Sequence, residues 1–317
     1  MSSPSPETLS RKSEALIQAL GAAIAEALAA PDVEEVIVNA DGHIWIERLA
    51  AGRAFSGATL TRFDAERVLR LVADHAGVVV NHDQPLIAAT LPGGERFQGV
   101  YGPVAKGPSF VIRKPPSEIF TLDQYVEQAV MSPAQARALA EAVAARDNIL
   151  IAGGTGSGKT TLGNAILALP AFAQDRVILI EDTEELKCAA RDQLSLLTRG
   201  ADPAVTMADL VKVSLRLRPD RIVIGEVRDG SALDLLKAWN TGHPGGLATL
   251  HANSAAEALT RLEDLIGEVS QTVPRRAIGQ AIDLIAFLRR APGGRLLDSL
   301  VRVDGWEEGI GYQLSPL

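Results

Sequence analysis

The chain has 317 residues but a single cysteine, Cys188, and aromatic residues make up only 4% of it. One thiol forms neither an internal disulfide nor a cysteine-ligated zinc site, which favours a reducing compartment. The net charge of −8 and the low aromatic content argue against stable, direct binding of DNA or RNA. No apolar run reaches the roughly 18 residues needed to cross a bilayer. We therefore expect a cytoplasmic protein without a transmembrane segment.

Apolar residues, by contrast, are abundant at 47%, and the length is typical of two domains. Residues 15–30 predict an amphipathic helix, because leucine and isoleucine recur every fourth position along one face. Two β-like segments, 35–39 and 43–47, flank the sequence Asp41-Gly42, which is typical of a hairpin turn. Residues 1–113 therefore predict a small α+β domain.

A proline-containing stretch, Lys114-Pro115-Pro116-Ser117, predicts an extended linker, because each proline restricts the residue before it. With the segment that follows, this linker spans residues 114–131. Beyond it, apolar strands alternate with helices, the first of which opens with a capping box at Ser132. The predicted strands are residues 149–152, 176–181, 221–226 and 247–251, and a terminal hairpin of 284–288 and 296–303 turns across Gly293-Gly294. This alternation predicts, for residues 132–317, a mostly parallel sheet flanked by helices.

A glycine-rich loop follows the first of these strands. Residues 153–160 read Gly153-Gly154-Thr155-Gly156-Ser157-Gly158-Lys159-Thr160 and match G-x-x-x-x-G-K-[ST], the pattern of loops that hold nucleotide phosphates. A helix that Pro170 ends comes directly after the loop. The glycines let backbone N–H groups approach the phosphates, and the start of the helix adds positive potential. The loop therefore predicts binding of a nucleoside triphosphate.

Three residues at the end of this loop carry specific predictions. Lys159 is expected to reach the β- and γ-phosphates, and the hydroxyl of Thr160 is expected to bind Mg²⁺. Thr161 completes the predicted phosphate-binding set. The predicted ligands are therefore a nucleoside triphosphate, ATP or GTP, and Mg²⁺.

Acidic residues and a histidine stand at the ends of three other predicted strands. Glu181 and Asp182 end one strand, Glu226 ends the next, and His251 ends the last. In open α/β sheets, ligands bind at the carboxyl ends of the strands. Asp182 and Glu226 are candidates to hold Mg²⁺, whereas Glu181 and Glu226 are alternative candidates to polarise the attacking water. His251 is a candidate sensor of the γ-phosphate.

Four motifs thus occur in order: the phosphate loop, the acidic box Ile180-Glu181-Asp182-Thr183, the strand end Gly225-Glu226-Val227-Arg228, and a histidine box that runs from Thr241-Gly242-His243 to Thr249-Leu250-His251. Together they resemble the secretion-superfamily traffic ATPases of type IV secretion, type II secretion and type IV pili. The stretch from Ile112-Arg113-Lys114 through Phe120-Thr121-Leu122 to the histidine box is most similar to the TrbB-type conjugal-transfer ATPases. The resemblance covers most of the chain.

This resemblance implies an α/β fold with a RecA-like P-loop ATPase domain and a smaller N-terminal α+β domain. It also implies a homohexameric ring at the cytoplasmic face of the inner membrane, in contact with inner-membrane components of a secretion or conjugation channel. The implied cofactors are ATP and Mg²⁺, and Mg²⁺-dependent hydrolysis of ATP would power pilus assembly or the export of DNA and protein. In such rings, arginines of the N-terminal domain complete the site against the γ-phosphate. Arg113 and Arg96 match those positions, with Arg218 and Arg228 as further candidates.

The chain departs from one branch of this family, because a single cysteine cannot build the four-cysteine zinc module of many pilus-assembly and type II secretion relatives. This favours the conjugation or pilus-retraction branches. A helicase or translocase of related fold is disfavoured by the acidic charge balance. A nucleotide-gated scaffold with negligible turnover stays open as a non-enzymatic alternative.

Overall fold

The computed structural model describes residues 6–49, 51–115, 119–200, 203–291 and 294–317. Residue contacts divide the chain into a first unit, Met1–Ser117, and a second unit, Glu118–Leu317. Pro116 and Ser117 of the predicted linker and Gly293 of the predicted hairpin turn lie outside the described residues. The domain limits 1–113, 114–131 and 132–317 stay predictions.

In its described residues, the first unit contains two helices and a six-stranded antiparallel sheet in the order β3-β2-β1-β6-β5-β4. The predicted hairpin at Asp41-Gly42 is confirmed, because β1 and β2 pair antiparallel with Val38 opposite Ile44. Its elements are α1 (Pro6–Ala29), β1 (Val33–Val38), β2 (His43–Arg48), β3 (Gly52–Thr59), α2 (Arg62–Ala76), β4 (Leu86–Thr90), β5 (Arg96–Val100) and β6 (Ser109–Arg113).

The predicted N-terminal helix is present but not continuous. Gly21 has φ 77° and interrupts α1, a conformation that glycine adopts without the steric cost that a Cβ would bring. Leu16 before the break and Ile24 after it are both buried in the core of the unit. The apolar stripe correctly indicated a helix and its buried face, and the interruption at this glycine was not predicted.

The second unit contains seven α-helices among its described residues and an eight-stranded sheet in the order β14-β13-β12-β7-β11-β10-β8-β9. The pairs from β12 through β7, β11, β10 and β8 to β9 are parallel, and the two pairs at the β14 end are antiparallel. The elements are α3 (Leu122–Glu127), α4 (Pro133–Ala145), β7 (Ile149–Gly153), α5 (Lys159–Leu167), β8 (Arg176–Glu181), β9 (Asp192–Leu197), α6 (Met207–Ser214), β10 (Arg221–Val227), α7 (Ser231–Asn240), β11 (Leu247–Leu250), α8 (Ala255–Gly267), α9 (Arg275–Ala281), β12 (Leu284–Ala291), β13 (Gly294–Glu307) and β14 (Gly311–Pro316).

The mostly parallel sheet and the terminal hairpin of β12 and β13 are therefore confirmed. The capping box at Ser132 is confirmed as well, because Ser132 and Gln135 bond each other's backbone N–H groups. At the start of α8, Ser254 caps the helix by accepting from the N–H of Glu257, while the carboxylate of Glu257 accepts from the side chain of Asn253. Among the described residues, no helix combines the length and the apolar character needed to cross a membrane.

Helices cover both faces of this sheet because successive residues of its strands point to opposite sides. In β7, Leu150 and Ala152 belong to the core that α6, α7, α8 and α9 cover, and Ile149 and Ile151 belong to the core that α3, α4 and α5 cover. All five residues of β7 are buried. The loop that follows β7 is therefore anchored on a strand enclosed on every side.

A buried arginine joins the amino ends of the strands, opposite the glycine-rich loop. Arg221, 2% exposed, donates from Nε to Asp175 over 2.6 Å and from Nη1 to the carbonyls of Val143 and Gly245. Its guanidinium also lies over the ring of Phe172, 4.5 Å from the centroid. The carboxylate of Asp175 accepts a further hydrogen bond from Arg146. The charge is thus compensated and hydrogen-bonded, as a buried ion must be.

We predict that Arg221→Met lowers the free energy of unfolding by about 3 kcal/mol, because it leaves the buried carboxylate of Asp175 with one partner fewer. Urea unfolding followed by circular dichroism measures this change. Arg289→Ala is the matched control, since Arg289 forms an exposed pair with Asp298 and its loss is expected to cost less than about 1 kcal/mol. Equal losses in the two variants would contradict the prediction.

Candidate functional site

The glycine-rich loop connects the end of β7 to the start of α5, so that Lys159 is the first residue of the helix. The ammonium of Lys159 is buried and donates to the carbonyls of Gly153 and Gly154, each at 3.1 Å. It therefore folds back over the loop to which it belongs. The start of α5 and the ammonium concentrate positive potential here, as a phosphate-binding loop requires.

His251 and Glu226 extend this arrangement across the edge of the sheet. His251 follows β11, the strand beside β7, and its Nδ1 lies 3.3 Å from Nζ of Lys159. Its Nε2 lies 2.8 Å from Oε1 of Glu226, near the end of β10. Nζ of Lys159 also lies 3.4 Å from Nε2, so the ammonium faces both ring nitrogens, and a ring with its proton on Nε2 donates to the carboxylate of Glu226. The other histidine of the same box, His243, instead contacts the carbonyl of Pro219.

Glu181 is the most deeply buried carboxylate at this edge, with 3% of its surface exposed. Its Oε1 accepts from the backbone N–H groups of Glu185 and Leu186, both at 2.9 Å, while its buried Oε2 has no hydrogen-bond partner. Burial, reinforced by the charges of Glu185 and Glu184, raises the pKa of Glu181 to about 7, although the two backbone N–H groups oppose the rise. This carboxyl can therefore gain and lose a proton near neutral pH.

Asp182, the neighbour of Glu181, is already held by two donors. Its carboxylate accepts from the hydroxyl of Thr198 at 2.6 Å and from the guanidinium of Arg228. These bonds tie the end of β8 to the ends of β9 and β10. Arg218 and Arg228 were the further arginine candidates. Arg228 lies at the edge of the site and neutralises the carboxylate of Asp182, whereas Arg218 is exposed and has φ 56°.

The predicted metal ligands do not form a closed cluster of side chains. Within the described ranges, no group of three or more His, Cys, Asp or Glu side chains is arranged to hold a metal ion. Thr160 and Thr161 are half-buried in the first turn of α5, and the buried hydroxyl of Ser157 has no hydrogen-bond partner. A depression of about 550 Å³ opens beside the loop and is lined by Gly154, Thr155, His251, Ala252, Asn253, Glu257, Thr260, Arg261 and Asp264.

Two arginines that the sequence analysis did not identify also contact the loop. Arg290 near the end of β12 and Arg295 near the start of β13 each direct Nε to the carbonyl of Gly156, at 3.4 and 3.3 Å. No motif includes them, and they lie more than 130 residues from the loop in sequence. The sequence offered one signal, namely that the terminal hairpin carries several arginines. The position of this hairpin next to β7 is decided by the fold.

The two candidate arginines of the first unit are brought together by strand pairing. Arg96 on β5 and Arg113 on β6 stand directly opposite each other in the antiparallel register. Arg113, on its other side, lies opposite Glu35 of β1, with 3.9 Å between its Nε and the carboxylate. Although they are distant in sequence, the two guanidinium groups belong to one small region of the first unit.

Comparisons with known proteins give consistent results. The family described as "Type II/IV secretion system protein" matches residues 18–291. The chain is 46% identical to the conjugal transfer protein TrbB of Rhizobium radiobacter, over 92% of this chain and 90% of that protein. It is 35% identical to the type IV secretion system protein PtlH of Bordetella pertussis, over 84% and 88%. The solved ATPase DotB of Legionella pneumophila shares the fold, with a TM-score of 0.61 and 19% identity over 98% of this chain and 84% of that one.

We predict that the burial of Glu181 makes stability fall as pH rises. The unfolded carboxyl releases its proton near 4.5, whereas the folded one keeps it until about 7. The stabilisation is therefore complete below pH 4.5 and is lost as pH rises to about 7, by about 3 kcal/mol in all. The Glu181→Gln variant lacks this dependence. The free energy of unfolding of the variant minus that of the unmodified protein should therefore increase by about 3 kcal/mol between pH 4.5 and 8. Urea unfolding at both pH values measures it, and parallel pH curves would contradict the assignment.

Proposed function

The chain belongs to the type II/IV secretion system protein family, and on this premise we propose that it is a hexameric motor that hydrolyses ATP to energise conjugative type IV secretion. The resemblance to secretion-superfamily ATPases inferred from the four motifs, and to the TrbB type inferred from the stretch that begins at Ile112, is confirmed, since the relatives match over most of the chain. Conjugation is favoured over pilus retraction or another secretion process because the relative of highest identity reported above is a conjugal transfer protein.

The observation that carries the proposal is the line of contacts from Lys159 through His251 to Glu226. These contacts begin at the phosphate loop, which would hold a nucleotide phosphate, and end at a carboxylate, which would hold the attacking water. Binding of ATP would move the ammonium of Lys159 from the carbonyls of Gly153 and Gly154 to the phosphates. Because His251 contacts both charged groups, its contact with Glu226 would change when the γ-phosphate binds and Lys159 moves.

Two carboxylates are suited to take a proton from the attacking water. Glu226 is partly exposed and contacts His251, so it reaches the side of the loop where the γ-phosphate is expected. Glu181 has a pKa of about 7 and a buried oxygen without a hydrogen-bond partner. We assign the base to Glu226 because of its contact with the histidine, and we give Glu181 the role of holding a water molecule with its free oxygen.

The residues present fit a Mg²⁺ ion that arrives with ATP. Such an ion takes most of its six oxygens from phosphates and water, and needs only one or two protein ligands. The hydroxyl of Thr160 would supply one, and the carboxylate of Glu226 would hold the ion through a bound water, with the unpartnered oxygen of Glu181 as a further acceptor for water. Asp182 is less suited than predicted, because Thr198 and Arg228 already occupy its carboxylate. When bound, Mg²⁺ neutralises negative charge on the β- and γ-phosphates.

We further propose that Arg113 and Arg96 of one protomer act on the ATP of its neighbour in the ring. Their opposed positions on β5 and β6 concentrate two guanidinium groups, and such groups stabilise charge that develops on the transferred phosphate. The ring would lie in the cytoplasm against inner-membrane components of the secretion channel. Domain movements driven by hydrolysis would power pilus assembly or export of the cargo.

We predict that Glu226→Gln leaves ATP binding unchanged and slows hydrolysis by about 10²- to 10⁴-fold, the usual contribution of a general base. Steady-state phosphate release and equilibrium titration with ATP measure the two effects. Lys159→Ala is the comparison variant, and it is expected to lose hydrolysis together with binding. If Glu226→Gln keeps normal turnover, the base is Glu181. If the unmodified protein binds ATP without turnover, the scaffold alternative is correct.

We also predict that ATPase activity per protomer rises with protein concentration and then saturates, because each site needs a neighbour. Arg113→Ala should lower activity by about 10³-fold or more. Mixing inactive Arg113→Ala and Lys159→Ala protomers should restore activity, since the second variant still offers Arg113 to the intact loop of the first. Sizing of each sample identifies the ring. A mixture no more active than its parts would show that Arg113 acts within its own protomer or not at all.

A further inference from the structure

A β-bulge interrupts β10 at the edge of the candidate site. The parallel register of β10 and β11 shifts between Ile224 and Val227. Two residues of β10, Gly225 and Glu226, therefore stand opposite one residue of β11, Thr249. A bulge of this kind bends the strand locally and redirects a side chain. The bulge thus decides where the carboxylate of Glu226 points.

The bulge keeps Glu226 out of the core. Ile222 and Ile224, two positions apart, both pack into the core that α6 to α9 cover, as regular alternation requires. The next residue on that face would be Glu226, but Val227 packs there instead. The carboxylate of Glu226 is consequently only partly buried and meets His251, with 2.8 Å between Oε1 and Nε2.

Thr249 supplies a hydrogen bond to this bulge. Its hydroxyl donates to the carbonyl of Gly225 over 2.6 Å, and the residue is 2% exposed. All four residues of β11 are buried, and the other three are apolar. A buried hydroxyl is unfavourable unless it is hydrogen-bonded, and valine, which is also branched at Cβ, has nearly the same shape. The bond to Gly225 is therefore what distinguishes threonine from an apolar residue at this position.

Gly225 brings the bulge close to Glu181 on the other side. A Cβ at Gly225 would lie 3.0 Å from Cγ of Glu181, whereas carbon atoms in ordinary contact are about 3.5–4.0 Å apart. Glycine therefore allows this close approach of the backbone to the side chain. Because β8 and β11 both pair with β10, the backbone that carries Glu226 is confined from two neighbouring strands.

We propose that Thr249 is a positioning residue for ATP hydrolysis, because its hydroxyl fixes the bulge and so holds the carboxylate of Glu226 against His251. This proposal rests on the proposed function, in which Glu226 takes a proton from the attacking water. Since Thr249 is buried in β11, it acts through Glu226 and not on the nucleotide. Its loss is therefore expected to change the rate of hydrolysis and to leave nucleotide affinity unchanged.

The test compares Thr249→Val, which lacks the hydroxyl, with Thr249→Ser, which keeps it, in the full chain. Phosphate release over a range of ATP concentrations gives kcat and KM, and titration calorimetry gives Kd for ADP. Thr249→Val should lower kcat by about 10- to 100-fold, since a misplacement of about 1 Å costs up to about 10²-fold. KM and Kd should stay within about threefold, because the contacts to the nucleotide are kept. Thr249→Ser should retain kcat within about threefold, because its hydroxyl can make the same bond.

A double variant tests whether Thr249 acts through Glu226. In the Glu226→Gln background, Thr249→Val should slow single-turnover hydrolysis by less than about threefold, because the group that Thr249 positions is already lost. A further loss as large as that in the unmodified background would overturn the proposal.

Ser214→Ala is the matched control, because Ser214 at the end of α6 is fully buried and donates to the carbonyl of Val211 over 2.7 Å. It removes a comparable bond and should keep kcat. Thermal unfolding without nucleotide verifies that the variants are folded, and Thr249→Ala replaces Thr249→Val if the latter is not. Unchanged kcat in Thr249→Val, or an equal fall in Ser214→Ala, would overturn the proposal.

Failure of the proposed function is distinct, since the unmodified protein would then not hydrolyse ATP. In that case a crystal structure of Thr249→Val decides the proposal. The distance between Glu226 and His251 should lengthen beyond the hydrogen-bond limit of about 3.2 Å. A distance unchanged from 2.8 Å would show that Thr249 does not position the carboxylate.

Discussion

Parallel pairing on both sides of β7 is the constraint on which the rest of the site depends. With β11 on one side and β12 on the other, the carboxyl ends of three strands coincide, and each brings one charged or titratable side chain to the same loop. β7 itself leads into Lys159, β11 brings His251, and β12 brings Arg290. Because β7 is buried throughout, this edge of the sheet has little freedom to rearrange, and the groups are held in place before any ligand arrives.

The site also shows what this arrangement costs in stability. Glu181 is buried with one oxygen unpartnered, two arginines oppose each other on paired strands, and the ammonium of Lys159 is held by backbone carbonyls. Among these, the buried oxygen of Glu181 is the unfavourable feature, because it has no hydrogen-bond partner. At the opposite ends of the strands, the charges of Arg221 and Asp175 are fully compensated.

Several elements were accessible from the sequence because their signals are local. The hairpin at Asp41-Gly42, the cap at Ser132 and the continuous apolar runs of β7, β8 and β10 each depend on a few neighbouring residues. The edge strand β9 was missed because only some of its residues are even half-buried, so its apolar signal is weak. The break at Gly21 was missed because an apolar stripe on each side of a kink reads as one helix.

By itself, the sequence determined the phosphate loop, the order of the strands along the chain and the family, because these follow from contiguous residues and short motifs. Only the tertiary structure decided which strand-end groups meet. It joined His251 to Lys159 and Glu226, committed Asp182 to Arg228, left an oxygen of Glu181 unpartnered, and placed Arg290 and Arg295 on Gly156. The physical reason is that strand order and register in the sheet arise from packing between distant segments, which no local pattern of residues encodes.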